Sequence, residues 1–250
     1  MSSSTGDELD RLGWISVPAG LVQRGTPADE IDMLVERLSD IPIPRRYLAK
    51  EAPRISIPVA GFTILRVPVT VGAWNLHARA TGVALAQPNR DWPIDNVPWE
   101  AAQRFCDWYG EATGQRVRLP TEDEWERAAR GDDIREYPWG DTFDLKRGNL
   151  AELGIGERVP LGSFPAGASA FGLLDMAGNV DEWTSTLYAP YPSAPADVPA
   201  TESWALDSHI TRGGSWRHYR DLARCARRHG LYPNDDGEIG AGFRLVIDAQ

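Results

Sequence analysis

The sequence feature that most constrains this chain is a turn-rich stretch at residues 171–183, which reads FGLLDMAGNVDEW. Its glycines and asparagine interrupt both the 3.6-residue period of an amphipathic helix and the two-residue period of a strand. Gly178 and Asn179 suit a backbone with positive φ, so the stretch is predicted to fold back on itself. Asp175 and Glu182 place carboxylates on either side of this turn. Such a turn is either a calcium site, because calcium prefers carboxylate and carbonyl oxygens, or an acidic turn that faces water.

The rest of the chain favours an irregular fold with a substantial core. It has 250 residues, among them ten Trp, 24 Gly and 19 Pro. This composition is typical of a loop-rich fold packed around aromatic side chains, and it disfavours a helical bundle or a regular barrel. No repeat or linker divides the sequence. We therefore predict a disordered N-terminus at residues 1–10 and a single domain over residues 11–250.

Charge and hydropathy exclude several classes of partner. The net charge of -10 argues against nucleic acid as the main partner. No apolar run approaches the length that crosses a membrane, and the first residues lack the features of a secretory signal. We therefore expect a cytoplasmic protein in which Cys106 and Cys225 are reduced thiols.

Local signals predict four helices, all in the first half of the chain. Thr26, followed by Pro27, is expected to begin the first, and Thr70 the second. Apolar periodicity predicts the third over residues 98–112. Thr121 and Glu124 form a capping box at the start of the fourth. From residue 137 onwards no helix longer than two turns is predicted.

Several motifs follow one another in the second half of the chain. They are RLPTEDEWERAARG (118–131), YPWGD (137–141), GSFPAGASAFGLLDMAGNVDEW (162–183), RGGSW (212–216) and GFRLV (242–246). This series resembles the formylglycine-generating enzymes, or sulfatase-modifying factors. The same family includes the C-terminal domains of ergothioneine-type sulfoxide synthases and certain siderophore-tailoring oxidases. The resemblance implies a compact α+β fold, a variant of the C-type lectin fold with little regular secondary structure.

The resemblance also implies structural calcium at two places. At the turn, the implied ligands are the side chains of Asp175 and Glu182 and the carbonyls of Gly178 and Val180. The other site begins with the pair Asn149 and Leu150. Its later acidic ligand has no clear counterpart, because residues 151–160 are fewer than in the family's loop.

The residues that bind copper in this family are missing. In the formylglycine-generating enzymes, two cysteines after RGGS bind the metal, since copper(I) prefers thiolates. The corresponding segment here, WRHYRDLARCARRHG (216–230), contains only Cys225, which matches the family's structural cysteine. The resemblance therefore implies that this chain holds no copper and does not make formylglycine by that mechanism.

Iron is a further option that the histidines leave open. In the sulfoxide synthases, iron is held by histidines that come mostly from a separate helical domain, which has no counterpart here. A facial triad of His218, His229 and one of Asp221, Asp235 or Glu238 would suit nonheme iron. Alternatively, His218 and His229 lie at the rim of a pocket, where an imidazole can act as acid or base near neutral pH.

The resemblance places a pocket at RGGSW and at the loop before GFRLV. Its predicted lining, besides the catalytic candidates His218 and His229, is Trp216, Arg217, Tyr219, Arg224, Arg228, Tyr232 and Asn234. Arginine can bind an anion bidentately, and aromatic rings can stack on a ligand. Arg212 and Arg244 are instead expected to form internal ion pairs. The predicted partner is therefore a small anionic or zwitterionic molecule or a peptide.

Two functions follow from this pattern. The first is oxidative tailoring, in a biosynthetic pathway, of a small amino-acid-like or peptidic substrate by an enzyme that uses nonheme iron or no metal. The alternative is a non-catalytic, lectin-like module whose fold is stabilised by calcium and whose late loop binds a ligand. Fold alone does not decide between them, because function depends on the site.

Overall fold

The computed structural model describes residues 11–86, 89–198, 209–230 and 241–248. In chain order the strands are β1 (Trp14–Val17), β2 (Gly20–Arg24), β3 (Ile55–Val59), β4 (Phe62–Leu65), β5 (Val117–Arg118), β6 (Asp181–Leu187), β7 (His209–Arg212), β8 (His229–Gly230), β9 (Ala241–Gly242) and β10 (Val246–Asp248). The α-helices are α1 (Ile31–Arg37), α2 (Arg45–Ala49), α3 (Val71–Thr81), α4 (Trp99–Thr113) and α5 (Glu122–Arg130). The predicted α+β class is confirmed. The predicted disordered N-terminus, residues 1–10, lies outside the described residues.

Two four-stranded sheets and one two-stranded sheet organise these elements. The first sheet has the order β1-β4-β10-β5, so the last strand pairs with strands from the first half of the chain. Strands β2 and β3 form a separate antiparallel pair. The second sheet has the order β8-β7-β6-β9, with β6 and β9 parallel. This second sheet brings together the glycine-rich turn that ends at Trp183, the RGGSW motif and the strand that begins at His229.

The helix predictions that rested on local capping are confirmed, with one exception. The Thr70 hydroxyl accepts a hydrogen bond from the Ala73 amide at 3.0 Å and begins α3. Thr121 and Glu124 form the predicted capping box of α5. Thr26 is not the predicted cap: its amide donates to the carbonyl of residue 51, a 3₁₀ turn at Ala28–Glu30 follows Pro27, and α1 continues from Ile31. Beyond α5, the described residues contain only 3₁₀ turns as helical structure.

The turn at residues 175–182 has the predicted positive φ, 81° at Gly178 and 70° at Asn179. A Cβ at Gly178 would lie 2.3 Å from the carbonyl oxygen of Asn149, so only glycine permits this close approach. The Asn179 side chain closes the turn: its Nδ2 donates to Asp175 Oδ1, and its Oδ1 accepts from the Val159 amide. A side-chain amide therefore holds the turn.

The apolar core has two main parts. One is built around Trp74, Phe105 and Phe243, and the other contains Trp125. Cys106 belongs to the first and Cys225 to the second, and both are free thiols. Burial raises the pKa of the Cys225 thiol to about 12. Among the described helices, none combines the length and the apolar character needed to cross a bilayer.

Buried ion pairs join α5 to the second sheet. Arg212 pairs with Glu126 at 2.6 Å and with Glu122 at 3.2 Å. Arg244 donates from both Nε and Nη2 to the Glu182 carboxylate, each at 2.6 Å. All five side chains are at most 2% exposed, so the prediction that Arg212 and Arg244 form internal ion pairs is confirmed.

Substituting Glu182 by Gln should destabilise the fold, because Arg244 would be left as an uncompensated buried charge. We expect the free energy of unfolding to fall by about 3–5 kcal/mol in urea denaturation. Asp32→Asn is the control, since it removes an exposed ion pair with Arg45 and should leave stability almost unchanged. Equal effects of the two substitutions would contradict the structural role of the buried pair.

Candidate active site

The candidate site is formed where two consecutive acids of β6 point in opposite directions. Successive side chains of a strand alternate between its two faces. Glu182 faces Arg244 and the indole N–H of Trp125, which donates to it at 2.9 Å. Asp181, fully buried on the other face, contacts His229 and lies near His218.

Asp181 is the centre of a carboxylate–imidazole cluster. His229 Nδ1 lies 2.7 Å from Asp181 Oδ2, and the Gly214 amide donates to Oδ1 at 3.2 Å. His218 Nδ1 lies 4.0 Å from Oδ2, and the two imidazole rings meet edge to face at 5.0 Å. Burial alone would raise the pKa of the Asp181 carboxyl, but the hydrogen bond from His229 and the neighbouring imidazoles lower it below its usual value. The carboxylate is therefore ionised at neutral pH and accepts both hydrogen bonds.

Backbone geometry brings the two histidines to Asp181. His229 begins β8 and pairs with Thr211 of β7. The two glycines after Arg212 both have positive φ, 92° and 69°, and turn the chain so that His218 comes back towards β6. The Ser215 amide then donates to His218 Nδ1 at 3.0 Å. The RGGSW motif therefore positions His218.

The hydrogen bonds fix the roles of the ring nitrogens. Because a backbone N–H donates to His218 Nδ1, the hydrogen of the neutral His218 ring is on Nε2. Burial and the adjacent His229 lower the pKa of His218 to about 4, so this ring is neutral at pH 7. His229 donates from Nδ1 to Asp181, which leaves the lone pair on its Nε2, and no described residue donates to that nitrogen. The Asp181–His229 pair can act as an oriented base, and His218 can act as a neutral hydrogen-bond donor.

The donor types of this cluster match a facial triad, but its hydrogen bonds do not. Ligand atoms of Asp181, His218 and His229 lie within 4.8 Å of one another, and two imidazoles with a carboxylate suit nonheme iron. A metal-bound histidine, however, donates its second ring N–H to an acceptor. His218 does the reverse, since its Nδ1 accepts from Ser215. In this hydrogen-bonding arrangement the three side chains are set up for proton transfer and not for binding iron.

Among the described residues, the carboxylate beside the histidines is Asp181 and not Asp221. Asp221 forms an ion pair with Arg227 at 3.3 Å, while Asp235 and Glu238 lie outside the described residues. Sequence reasoning missed Asp181 because it stands beside Glu182, in a stretch interpreted as a calcium turn. The two-residue alternation of a strand starting at residue 181 could have separated the two acids.

Some predicted lining residues do lie beside His218. Trp216 is half-buried, whereas Arg217 and Tyr219 are exposed on the same short loop. The Arg217 guanidinium lies over the Trp216 ring, 4.7 Å from its centroid. Tyr232 and Asn234 lie outside the described residues.

Arg224 and Arg228 are interior residues, which corrects their expected role in substrate binding. Arg224 is 3% exposed and pairs with Glu51 and Glu136, each at 2.7 Å. Arg228 is 2% exposed and pairs with Glu122 at 2.7 Å. With carboxylate partners inside the protein, these two guanidinium groups hold the framework together and do not line a ligand site beside His218.

The donor set at the turn does not fit calcium. Asp175 accepts from the Gly162 amide and from the Asn179 side chain, and Glu182 accepts from Arg244 and Trp125. Calcium takes about six to eight oxygen ligands. The remaining implied ligands, the carbonyls of Gly178 and Val180, are too few without these carboxylates.

The other implied calcium site keeps one suitable oxygen. Asn149 Oδ1 is buried and has no hydrogen-bond partner in the described part of the chain. Its Nδ2 donates to the Glu157 carbonyl at 2.8 Å. Calcium at Asn149 and Leu150 therefore stays a prediction.

The sequence matches the sulfatase-modifying factor enzyme 1-like domain over residues 4–249. The chain belongs to this family. The resemblance inferred from the ordered motifs is thereby confirmed.

Curated relatives within this family have different names. The chain is 36% identical to hercynine oxygenase of Mycolicibacterium thermoresistibile over 63% of its own length and 36% of the relative's. It is 30% identical to the hercynine oxygenase of Mycolicibacterium smegmatis over 80% and 56%. It is 35% identical to the mouse inactive C-alpha-formylglycine-generating enzyme 2 over 63% and 49%. The chain thus spans between about a third and a little over half of the length of these relatives.

Solved structures confirm the fold. PvdO from Pseudomonas aeruginosa superposes with a TM-score of 0.73 at 27% identity, over 94% of each chain. CarF superposes with a TM-score of 0.64 at 19% identity, over 95% of this chain and 98% of its own, and shows the fold alone. The single-domain, loop-rich α+β architecture is therefore that of the family.

The lowered pKa of His218 predicts that stability falls in acid. An unfolded histidine has a pKa near 6.5, so between pH 6.5 and about 4 the unfolded chain binds a proton that the folded protein refuses. Stability from this group is complete above pH 6.5 and is lost as the pH falls through that window. The measurement is the free energy of unfolding in urea at about pH 7.5 and at about pH 4.5. Its decrease between the two pH values should be smaller by roughly 2 kcal/mol in His218→Gln than in the parent protein. An identical loss in both proteins would contradict a His218 ring that stays neutral in the folded protein.

Proposed function

We propose that this protein is an oxidative tailoring enzyme that acts on a small amino-acid-like molecule at Asp181, His218 and His229. The observation that carries the proposal is the contact of 2.7 Å between the buried Asp181 carboxylate and His229, with a neutral His218 beside it. The relatives named hercynine oxygenase support an oxidative reaction on a small molecule. The alternative of a lectin-like binding module has no support among these relatives.

The three side chains have separate roles in this proposal. Asp181 holds His229 in the tautomer with hydrogen on Nδ1, so that Nε2 can take a proton from the substrate. The carboxylate then stabilises the imidazolium that forms. His218 donates its Nε2–H to negative charge that develops on the substrate, and its low pKa keeps it from competing for the proton.

Substrate recognition falls to the exposed loop that carries His218. His218 and His229 are 26% and 17% exposed, enough for a small molecule to reach their rings. Trp216 offers a ring for stacking, and Arg217 offers a cation for a carboxylate. Dioxygen is the proposed electron acceptor, following the names of the relatives.

The test is oxygen uptake by the protein with hercynine and other amino-acid-like probes. We expect substrate-dependent uptake in the parent protein and a decrease in kcat of about 10²–10⁴-fold in Asp181→Asn, since the oriented base is lost. Asp107→Asn is the matched control, because this acid is exposed on α4 and hydrogen-bonds only to Gln103 among the described residues. Its kcat should be unchanged.

Two outcomes would change the assignment. Absence of uptake with every probe, or uptake unaffected by Asp181→Asn, would contradict oxidation at this cluster. Metal analysis of protein purified without chelator tests whether the cluster binds iron instead. Stoichiometric iron that is present in the parent protein and lost in Asp181→Asn would replace the proton-transfer role with a metal-binding one.

A further inference from the structure

A cavity of about 560 Å³ lies beside α1 and is lined by none of Asp181, His218 and His229. We call it the α1 cavity. The residues that matter for its chemistry are Met33, Arg37, Arg54, Arg130, Ile134 and Glu136. Its volume is within the range of small-molecule sites. Its lining combines guanidinium groups with apolar side chains.

Arg54 presents an incompletely used guanidinium to this cavity. Its Nε donates to the Gly25 carbonyl at 3.1 Å, and in the described ranges no carboxylate forms an ion pair with it. Partial burial and the positive charge of Arg130 lower the pKa of Arg54. This environment disfavours the cation, and a bound anion would relieve it.

Arg130 is the second donor and is 1% exposed. Its Nη2 donates to Glu126 Oε1 at 3.0 Å, but its Nε has no hydrogen-bond partner among the described residues. The other oxygen of Glu126 is already occupied by Arg212 at 2.6 Å. Glu126 therefore serves two guanidinium groups at once, and Arg130 brings a further positive charge to the wall of the cavity.

The acids that line the cavity do not supply this acceptor. Glu136 accepts from Arg37 at 2.6 Å and from Arg224 at 2.7 Å. Asp141 accepts from the Glu136 amide at 3.2 Å. Glu30 is exposed and pairs with no cation in the described part of the chain. None of these carboxylates forms an ion pair with Arg54 among the described residues, although the negative charge of Glu30 acts on Arg54 through space.

Apolar side chains complete the lining. Met33 and Ile134, which line the cavity, are 62% and 56% exposed. A ligand with an apolar group would remove part of their surface from water. Cations and apolar surface in one cavity select an amphipathic anion.

We propose that the α1 cavity binds a small organic carboxylate with an apolar substituent, its carboxylate held by Arg54 and Arg130 and its apolar group against Met33 and Ile134. Arginine donates two parallel hydrogen bonds to a carboxylate, which suits the planar group better than a single point charge does. The site is separate from the Asp181 cluster, so the proposal does not depend on the oxidative function.

The test is isothermal titration calorimetry of the full chain with acetate, butyrate and hexanoate, and with hexylamine and inorganic phosphate as controls. Affinity should rise about two- to fourfold per methylene along the carboxylate series. Arg54→Gln should weaken hexanoate binding by roughly 10- to 100-fold, because a charge-assisted contact is lost. Arg79→Gln, at an exposed position on α3, is the matched control and should bind as the parent does.

A second variant tests the apolar contact without disturbing the buried arginines. The double substitution of Met33 and Ile134 by Ser should leave acetate binding unchanged and flatten the dependence on chain length. Equal binding of hexylamine and hexanoate, or unchanged binding in Arg54→Gln, would overturn the proposal. Phosphate that binds as tightly as hexanoate would reduce the cavity to a general anion site and also overturn it.

Discussion

The interaction on which the rest of this structure depends is the fully buried pair of Glu182 and Arg244. Arg244 also donates to the carbonyls of Leu65 and Leu174, so one guanidinium connects β4, the turn at residues 175–182 and β6. A charge this deep requires a partner in good geometry, because the cost of desolvation is otherwise several kcal/mol. In a chain with short strands and long loops, such pairs fix positions that regular secondary structure does not.

The pair has a direct consequence for the candidate site. Because Arg244 holds Glu182 on one face of β6, the strand must present Asp181 on the other. A shift of one residue would exchange the two acids and would bury Asp181 against the arginine. The framework ion pair and the catalytic candidate are thus set by the same register. A single interaction of the fold therefore determines which carboxylate the histidines contact.

Features that depend on neighbouring residues could be predicted from the sequence, and features that depend on distant partners could not. The Thr121 capping box and the positive φ of Gly178 are local, and both are present. Arg224 finds its partner Glu51 at a separation of 173 positions, which no local pattern reveals. The acids of the turn show the same limit, since a sequence displays the oxygens of Asp175 but not the amide donors that occupy them. The resemblance to the family predicted the fold, whereas the contacts that form the site are visible only in the three-dimensional structure.

The same physical rule separates framework from function in this molecule. Buried polar groups are normally hydrogen-bonded, so a satisfied group such as the Arg228 guanidinium stabilises the fold and has little left to offer a ligand. Groups that retain unused capacity among the described residues carry the functional argument: the Nε2 lone pair of His229 at the second sheet and the Arg54 guanidinium at the α1 cavity. Counting arginines along the sequence therefore overestimates ligand-binding capacity here. What matters is which donors and acceptors remain after the interior has been paired.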